Sequence, residues 1–349
     1  MRGLAVVIMI QCHTFNSFTR MDLRDGGPYV LTQFIGGMAA PLFLFMAGMT
    51  TAFQMESLDR REIPPRRRWI ISIRRAGYIL AIAFTFRFTN WLFSVPHASV
   101  NELTRVDILN CMGVGMAVLS VAALFGGAAR IRFALLAGLA IIAVSPLIAG
   151  FDWSRTPLLL QDYIVPGPNR GRFPFFPWAG YVAFGLGLGM IVKRAAAERF
   201  ERLMQWSVLI GFGLVFTGQY FSNLPYSIYT RSNFWLDSPA LVVIRVGIML
   251  LMMAGAYLWT EYGARARWSW MQALGKNSLM VYWIHVMIVY GSAVHAIKRA
   301  LSIGQSALAA VAITLLMIAM SALWLWWKEK RAGGKKTPKP SPVLTPART

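Results

Sequence analysis

The sequence predicts an all-α polytopic membrane protein, a bundle of about ten transmembrane helices with both termini cytoplasmic. Three observations predict it. Of 349 residues, 56% are hydrophobic and 14% charged, with a mean hydropathy of +0.51, whereas a soluble domain is about 25% charged. The apolar residues fall in runs near the ~20 residues that carry a helix across a hydrocarbon core. A membrane barrel would instead show strands of about 10 residues with period-two alternation, which excludes it. Every second connection between the runs is basic.

The first run is residues 2–18, which carries Gln11 and His13 in its apolar part. It carries one basic residue and no small-x-small cleavage site, so it reads as a span and not a signal peptide, with its upstream residues expected to be missing from the sequence. The next runs are 29–53, 76–95, 106–125 and 133–149. The sixth, 176–192, is dense in Gly180, Gly185, Gly187 and Gly189, as expected where small residues let helices pack closely. The remaining four are 203–221, 239–260, 278–295 and 306–327.

The connection after the second run carries Arg60, Arg61, Arg66, Arg67, Arg68, Arg74 and Arg75. The one after the fourth has Arg130 and Arg132, and the one after the sixth has Lys193, Arg194, Arg199 and Arg202. The one after the eighth has Arg265, Arg267 and Lys276. The tail adds Lys328, Lys330, Arg331, Lys335, Lys336 and Lys339. Basic connections face the cytoplasm, and an even number of spans puts both ends there. The net charge of +21 is explained by this bias, and no basic-aromatic module suggests nucleic acid. The chain divides into a helical domain, 1–330, and a disordered basic tail, 331–349. The outer loops 151–175 and 222–238 are rich in aromatics, Pro and Asn, and could cap a cavity. Cys12 and Cys111 form no CxxC, and no metal site is visible.

Ionisable residues inside a span are costly and mark function by default. Five qualify: His13, Arg87, Asp107, Arg245 and His285. Their positions along the runs place all five in the middle or non-cytoplasmic half of the membrane, which predicts a polar cavity open to the outside. The alternative for the charged three is structural, with Arg87 pairing to Asp107 and Arg245 snorkelling outward. The histidines are the groups suited to acid–base work. Ser278, Tyr282 and His285 share one helix face, as do Asp107 and Asn110. Arg2 and His13 also fall on one face, about 16 Å apart along the axis. A ligand spanning them needs an anionic head and a long thin arm.

These residues are similar to a known pattern. Arg2-Gly3-Leu4-Ala5 followed by an apolar run and His13 resembles the Arg-x10-His element of the transmembrane acyltransferase superfamily. Further matches are Pro41-Leu42-Phe43-Leu44-Phe45-Met46-Ala47-Gly48, Val106-Asp107-Ile108-Leu109, Phe176-Pro177-Trp178-Ala179-Gly180-Tyr181, and the stretch from Leu274-Gly275-Lys276-Asn277-Ser278 through Tyr282 to His285. Their order and placement over the helical region resemble the heparan-α-glucosaminide N-acetyltransferase-like branch, near the type-3 membrane acyltransferases. An Asp that usually precedes the Arg is absent, in keeping with a truncated start. The luminal portion of the animal enzymes is also absent, so a heparan acceptor is not carried over.

The resemblance implies O- or N-acyl transfer, usually of acetyl from cytoplasmic acetyl-CoA, to a sugar or glycan across the membrane, here a bacterial inner (cytoplasmic) membrane. It implies that His13 handles the acyl group, as base or as transient carrier, and that Arg2 contacts donor phosphate. Arg74 and Arg75, or Arg66, Arg67 and Arg68, could assist with the donor or serve only as topology signals. On this reading Asp107 orients a histidine or the acceptor. Asn110, Trp178, Tyr282 and His285 line the acceptor, with Arg87 nearby, and Arg245, Asn277 or Ser278 supplies oxyanion donors. No metal is required, and oligomeric state is open. The rival is a transporter or flippase for a glycan or lipid-linked sugar. The two halves show no self-similarity of the kind many transporters carry.

Overall fold

The computed structural model describes residues 1–95, 99, 103–165, 173–263 and 269–332. The tail beyond Ala332, the loop cations Arg265 and Arg267, and part of the 151–175 loop lie outside these residues. Among the described residues the chain is all-helical, with one isolated bridge between Thr19 and Leu301. The helices are α1 (Arg2–Phe18), α2 (Gly27–Gly36), α3 (Ala39–Asp59), α4 (Pro65–Leu92), α5 (Ile108–Leu119), α6 (Gly127–Ala149) and α7 (Leu158–Ile164). They continue with α8 (Phe175–Arg194), α9 (Ala197–Ser222), α10 (Pro239–Leu258), α11 (Trp270–Lys276), α12 (Ser278–Tyr290) and α13 (Ile303–Ala332).

Six helical segments are long and apolar enough to cross a membrane: Gly27–Asp59, Pro65–Leu92, Gly127–Ala149, Phe175–Arg194, Pro239–Gly263 and Ile303–Arg331. The other four expected spans are helices of a different kind. α1 has 17 residues. α5 has 12 and is prolonged to Leu124 by a 3-10 turn. α12 has 13, a rise of about 20 Å, and α11 precedes it across a break at Asn277. α9 is long but opens with Glu198, Arg199, Glu201 and Arg202. The second expected span is likewise divided, at Gly36 and Gly37, and α7 is a helix within the 151–175 loop that the sequence did not suggest.

The outer surface is lipid-like: Leu308 is 72% exposed, Phe216 69% and Leu136 65%, far more apolar surface than water tolerates in one belt. The protein is an integral membrane protein. Without a hydrophobic driving force between helices, close backbone approach holds the bundle. α3 packs on α8 through glycine: a methyl group on Gly48 would strike the Val182 carbonyl, and one on Gly185 would strike that of Phe45. α9 and α10 meet in the same way at Gly211 and Gly247.

The Asp59 end of α3 carries an ion-pair network. Arg130 was expected in a loop but lies in the first turn of α6, fully buried. It donates to both Asp59 oxygens at 2.8 and 3.1 Å and to the carbonyls of Ala122 and Phe125. Arg68 also pairs with Asp59, and Arg194 reaches Glu56 at 3.0 Å. These contacts join α3, α4, α6 and α8 at one end, so several of the basic residues read as topology signals also have partners.

Candidate active site

The site is built on α1 and α12, which run side by side in register. Ser17 donates to the Val289 carbonyl at 2.9 Å. One turn earlier on each helix, His13 Nδ1 lies 2.9 Å from His285 Nε2, with ring centroids 5.1 Å apart and 12° between planes. His285 is fully buried, and its Nδ1 lies 2.7 Å from the Val281 carbonyl. A carbonyl only accepts, so His285 Nδ1 carries the proton and Nε2 accepts from His13 Nδ1–H. In neutral His13 the lone pair then resides on Nε2. Tyr290 meets the His13 ring edge-on at 5.5 Å.

A cavity of about 690 Å³ starts at Met9 and His13 and reaches exposed Ser292 and His295. Its walls include Gln33, Phe86, Arg87, Asp107, Trp178, Arg245, Tyr282, Tyr290 and Lys298. Four of the five ionisable residues singled out in the sequence therefore share one wall, and the fifth, His285, backs onto His13.

Arg87 Nη1 donates to Asp107 Oδ2 at 2.9 Å. Asp107 is the N-cap of α5, in a capping box with Asn110, an arrangement that satisfies amide groups at the helix start. Asn110 also donates to the Tyr163 hydroxyl at 3.0 Å, and burial pushes that phenol up, the Asn110 bond working against it. Both ring nitrogens of His285 are engaged, by Val281 and by His13, so the Val281 carbonyl, and not Asp107, orients His285. Outside the spans, Lys298 donates to the Tyr290 carbonyl at 2.7 Å, and burial lowers its ammonium pKa.

Asn277 and Ser278 are not brought to the cavity. Ser278 begins α12, about 10 Å below His285 along the axis, and Asn277 donates to the Ser321 carbonyl at 3.2 Å. Neither can reach an oxyanion at His13. Arg2, Arg74 and Arg75 also lie away from the cavity, at the opposite end of α1. There Arg75 donates to Gln54 at 2.6 Å and to Thr50, the charges of Arg2 and Arg75 act on one another, and Arg74 is exposed. Between the two ends Ala5 and Val6 are fully buried and Met9 is 4% exposed, which packs the space between Arg2 and His13. No cluster of three His, Cys, Asp or Glu side chains that could hold a metal occurs among the described residues.

Among the cavity residues that were not anticipated are Gln33, whose Nε2 is buried without an acceptor, and Trp91, whose indole N–H is in the same condition. The usable signal for Gln33 was an amide in the middle of an apolar run.

The described residues form an all-helical integral membrane protein with a hydrogen-bonded histidine pair at one end of a polar cavity. Residues 1–221 match the family model described as heparan-alpha-glucosaminide N-acetyltransferase, catalytic. The match spans more than half of the chain, and the chain belongs to this family of membrane acetyltransferases. It covers His13, Arg87, Asp107, Asn110 and Trp178, and ends before Arg245, Tyr282 and His285. No individual curated protein matches the chain.

Proposed function

We propose that the protein transfers an acetyl group from acetyl-CoA to a hydroxyl or amine of a sugar or glycan across a bacterial cytoplasmic membrane, with ten spans and both termini cytoplasmic. The observation that carries this reading is the chain His13–His285–Val281 at the base of the cavity. It orients His13 so that Nε2 has the lone pair, the form a general base or acyl-accepting nitrogen requires.

The donor enters from the Arg2 end, its phosphates near Arg2 and Arg75, with exposed Arg74 beside them. The acceptor enters from the Ser292 and His295 end. His13 Nε2 takes the proton from the acceptor as its oxygen or nitrogen attacks the thioester carbonyl. The carbon–sulfur bond breaks, and the thiolate leaves with that proton as free thiol. If the acyl group rests on His13 first, the same bonds break in two steps. Because the space between Arg2 and His13 is packed, the donor's pantetheine arm has to part α1 from its neighbours near Val6 and Met9. A transporter reading gains nothing from a histidine pair with a fixed tautomer, and the family is one of transferases.

The test is thiol release from acetyl-CoA by purified protein given glucosamine or a membrane glycan extract. We expect His13→Ala to lower it at least about 10²-fold without changing the thermal melt. Release unchanged in that variant removes the reading.

A further inference from the structure

We propose that the acceptor carries an anionic group, a carboxylate or a phosphate, and that Arg245 binds it. The inference deepens the acyl-transfer reading and rests on it.

Among the described residues four cationic side chains line the cavity, Arg87, Arg105, Arg245 and Lys298, against one carboxylate, Asp107. That carboxylate is engaged by Arg87 and by the cap of α5. The described lining is therefore rich in cations, and a basic, low-dielectric wall favours anions.

Arg245 is the cation whose surroundings ask most clearly for a ligand. It sits half-buried in the apolar body of α10. Its hydrogen bond to the Tyr181 hydroxyl is long, 3.5 Å, and its guanidinium lies 5.8 Å over the Trp178 ring. Among the described residues no carboxylate comes within ion-pair reach of it. A guanidinium has five N–H donors in a planar fork that matches carboxylate and phosphate oxygens. Holding one at membrane depth is costly unless a substrate supplies the counter-charge.

Two further donors make the same demand. Gln33 Nε2 and Trp91 Nε1 belong to residues that line the cavity, and both are buried without an acceptor. Arg245 reaches the end of the helix that carries Gln33: a methyl added at Gly37 would lie 3.4 Å from Arg245 Nη2 and from the backbone carbonyl of Gln33. Sugar hydroxyls alone would satisfy the two neutral donors and leave the charge of Arg245 unanswered. A carboxylate or phosphate answers that charge. Coenzyme A is also anionic, but the acyl-transfer reading puts its phosphates at the other end of α1.

The test is a tryptophan-fluorescence titration of the full-length protein in detergent with glucuronate, glucose 6-phosphate and glucose. Wild type is compared with Arg245→Gln and Arg245→Lys, each checked by thermal melting. At least one anionic sugar is expected to bind about tenfold more tightly than glucose, with the preference shrinking as salt rises. Arg245→Gln is expected to abolish the preference and Arg245→Lys to keep part of it. Which sugar wins distinguishes carboxylate from phosphate.

Equal binding of glucose, no saturable binding of either anionic sugar, or a preference untouched by Arg245→Gln overturns the proposal. Displacement of the anionic sugar by coenzyme A, with coenzyme A binding itself weakened in Arg245→Gln, also overturns it, because the cation then serves the donor. If Arg245→Gln does not fold, the salt dependence in wild type decides: a preference insensitive to salt overturns it. Thiol release measured on the same preparations separates the two ideas. Turnover that needs His13 without an anionic preference sinks this inference alone, whereas a preference without turnover sinks the acyl-transfer reading.

Discussion

His285 does not line the cavity, and in the proposed mechanism it acts on the reaction through His13. Its Nε2 accepts the His13 proton while its own Nδ1–H is anchored on Val281. Removing that acceptor frees the His13 ring to rotate and to exchange tautomers. We therefore expect His285→Leu to lower kcat about 10²-fold and to leave the donor KM unchanged, as steady-state kinetics would show. A variant that instead raised KM and melted at a lower temperature would assign His285 to packing. The sequence showed each histidine, since an imidazole in an apolar run is conspicuous. It could not show their contact, because they are 272 residues apart and only the register of α1 against α12 joins them. The shared face of Ser278, Tyr282 and His285 was legible from helix periodicity. That the cavity takes in Tyr282 and stops short of Ser278 is a matter of depth, which periodicity does not carry.

Among the helices, the ion pairs at the Asp59 end of α3 and the glycine contacts of α3 with α8 fix the arrangement that supports the site. Arg130 is wholly enclosed and depends on Asp59 for its counter-charge. Losing one partner of such a pair leaves an uncompensated buried charge, so Asp59→Asn is expected to destabilise by about 3 kcal/mol or more. Glu56→Gln should cost about 1 kcal/mol or less, because its partner Arg194 is 30% exposed and screened by water. Thermal unfolding of the two variants in detergent checks the ordering, and equal effects would contradict it. The pairing of Arg87 with Asp107 was one of the two readings the sequence left open. Arg130 with Asp59 was missed, because arginines next to predicted loops were read for topology and not for partners. The division at Gly36–Gly37 was also illegible, because what interrupts that run is backbone geometry at a glycine pair; the break at Asn277, whose amide bonds across to α13, falls just before the expected ninth run.

For the molecule as a whole, membrane insertion was legible from composition alone, because no soluble fold tolerates so many long apolar runs. The number of spans is the harder quantity. Six segments meet a length and hydropathy criterion, and the four remaining helices are short, broken or partly polar. The C-terminal end of α13 offers one orienting feature. Trp324, Trp326 and Trp327 are stacked under Lys328, Lys330 and Arg331, with Arg331 only 3.5 Å over the Trp327 ring. Such aromatic and cationic side chains favour a headgroup interface, and the excess of basic residues favours the cytoplasmic one. A green fluorescent protein fused after Thr349 is therefore expected to fluoresce in bacterial cells, and a periplasmic phosphatase fused there to stay inactive. An active phosphatase would reverse the orientation and, with it, the sides assigned to donor and acceptor.

The central claim is that His13 performs acetyl transfer from a donor held at Arg2. The most direct measurement is binding and turnover of radiolabelled acetyl-CoA by the purified protein, wild type against Arg2→Ala and His13→Ala. The account predicts saturable binding in wild type, weaker binding in Arg2→Ala, and in His13→Ala retained binding with hydrolysis and label transfer lost. Well-folded protein that shows no saturable binding, or a His13→Ala variant that turns the donor over as fast as wild type, would contradict it.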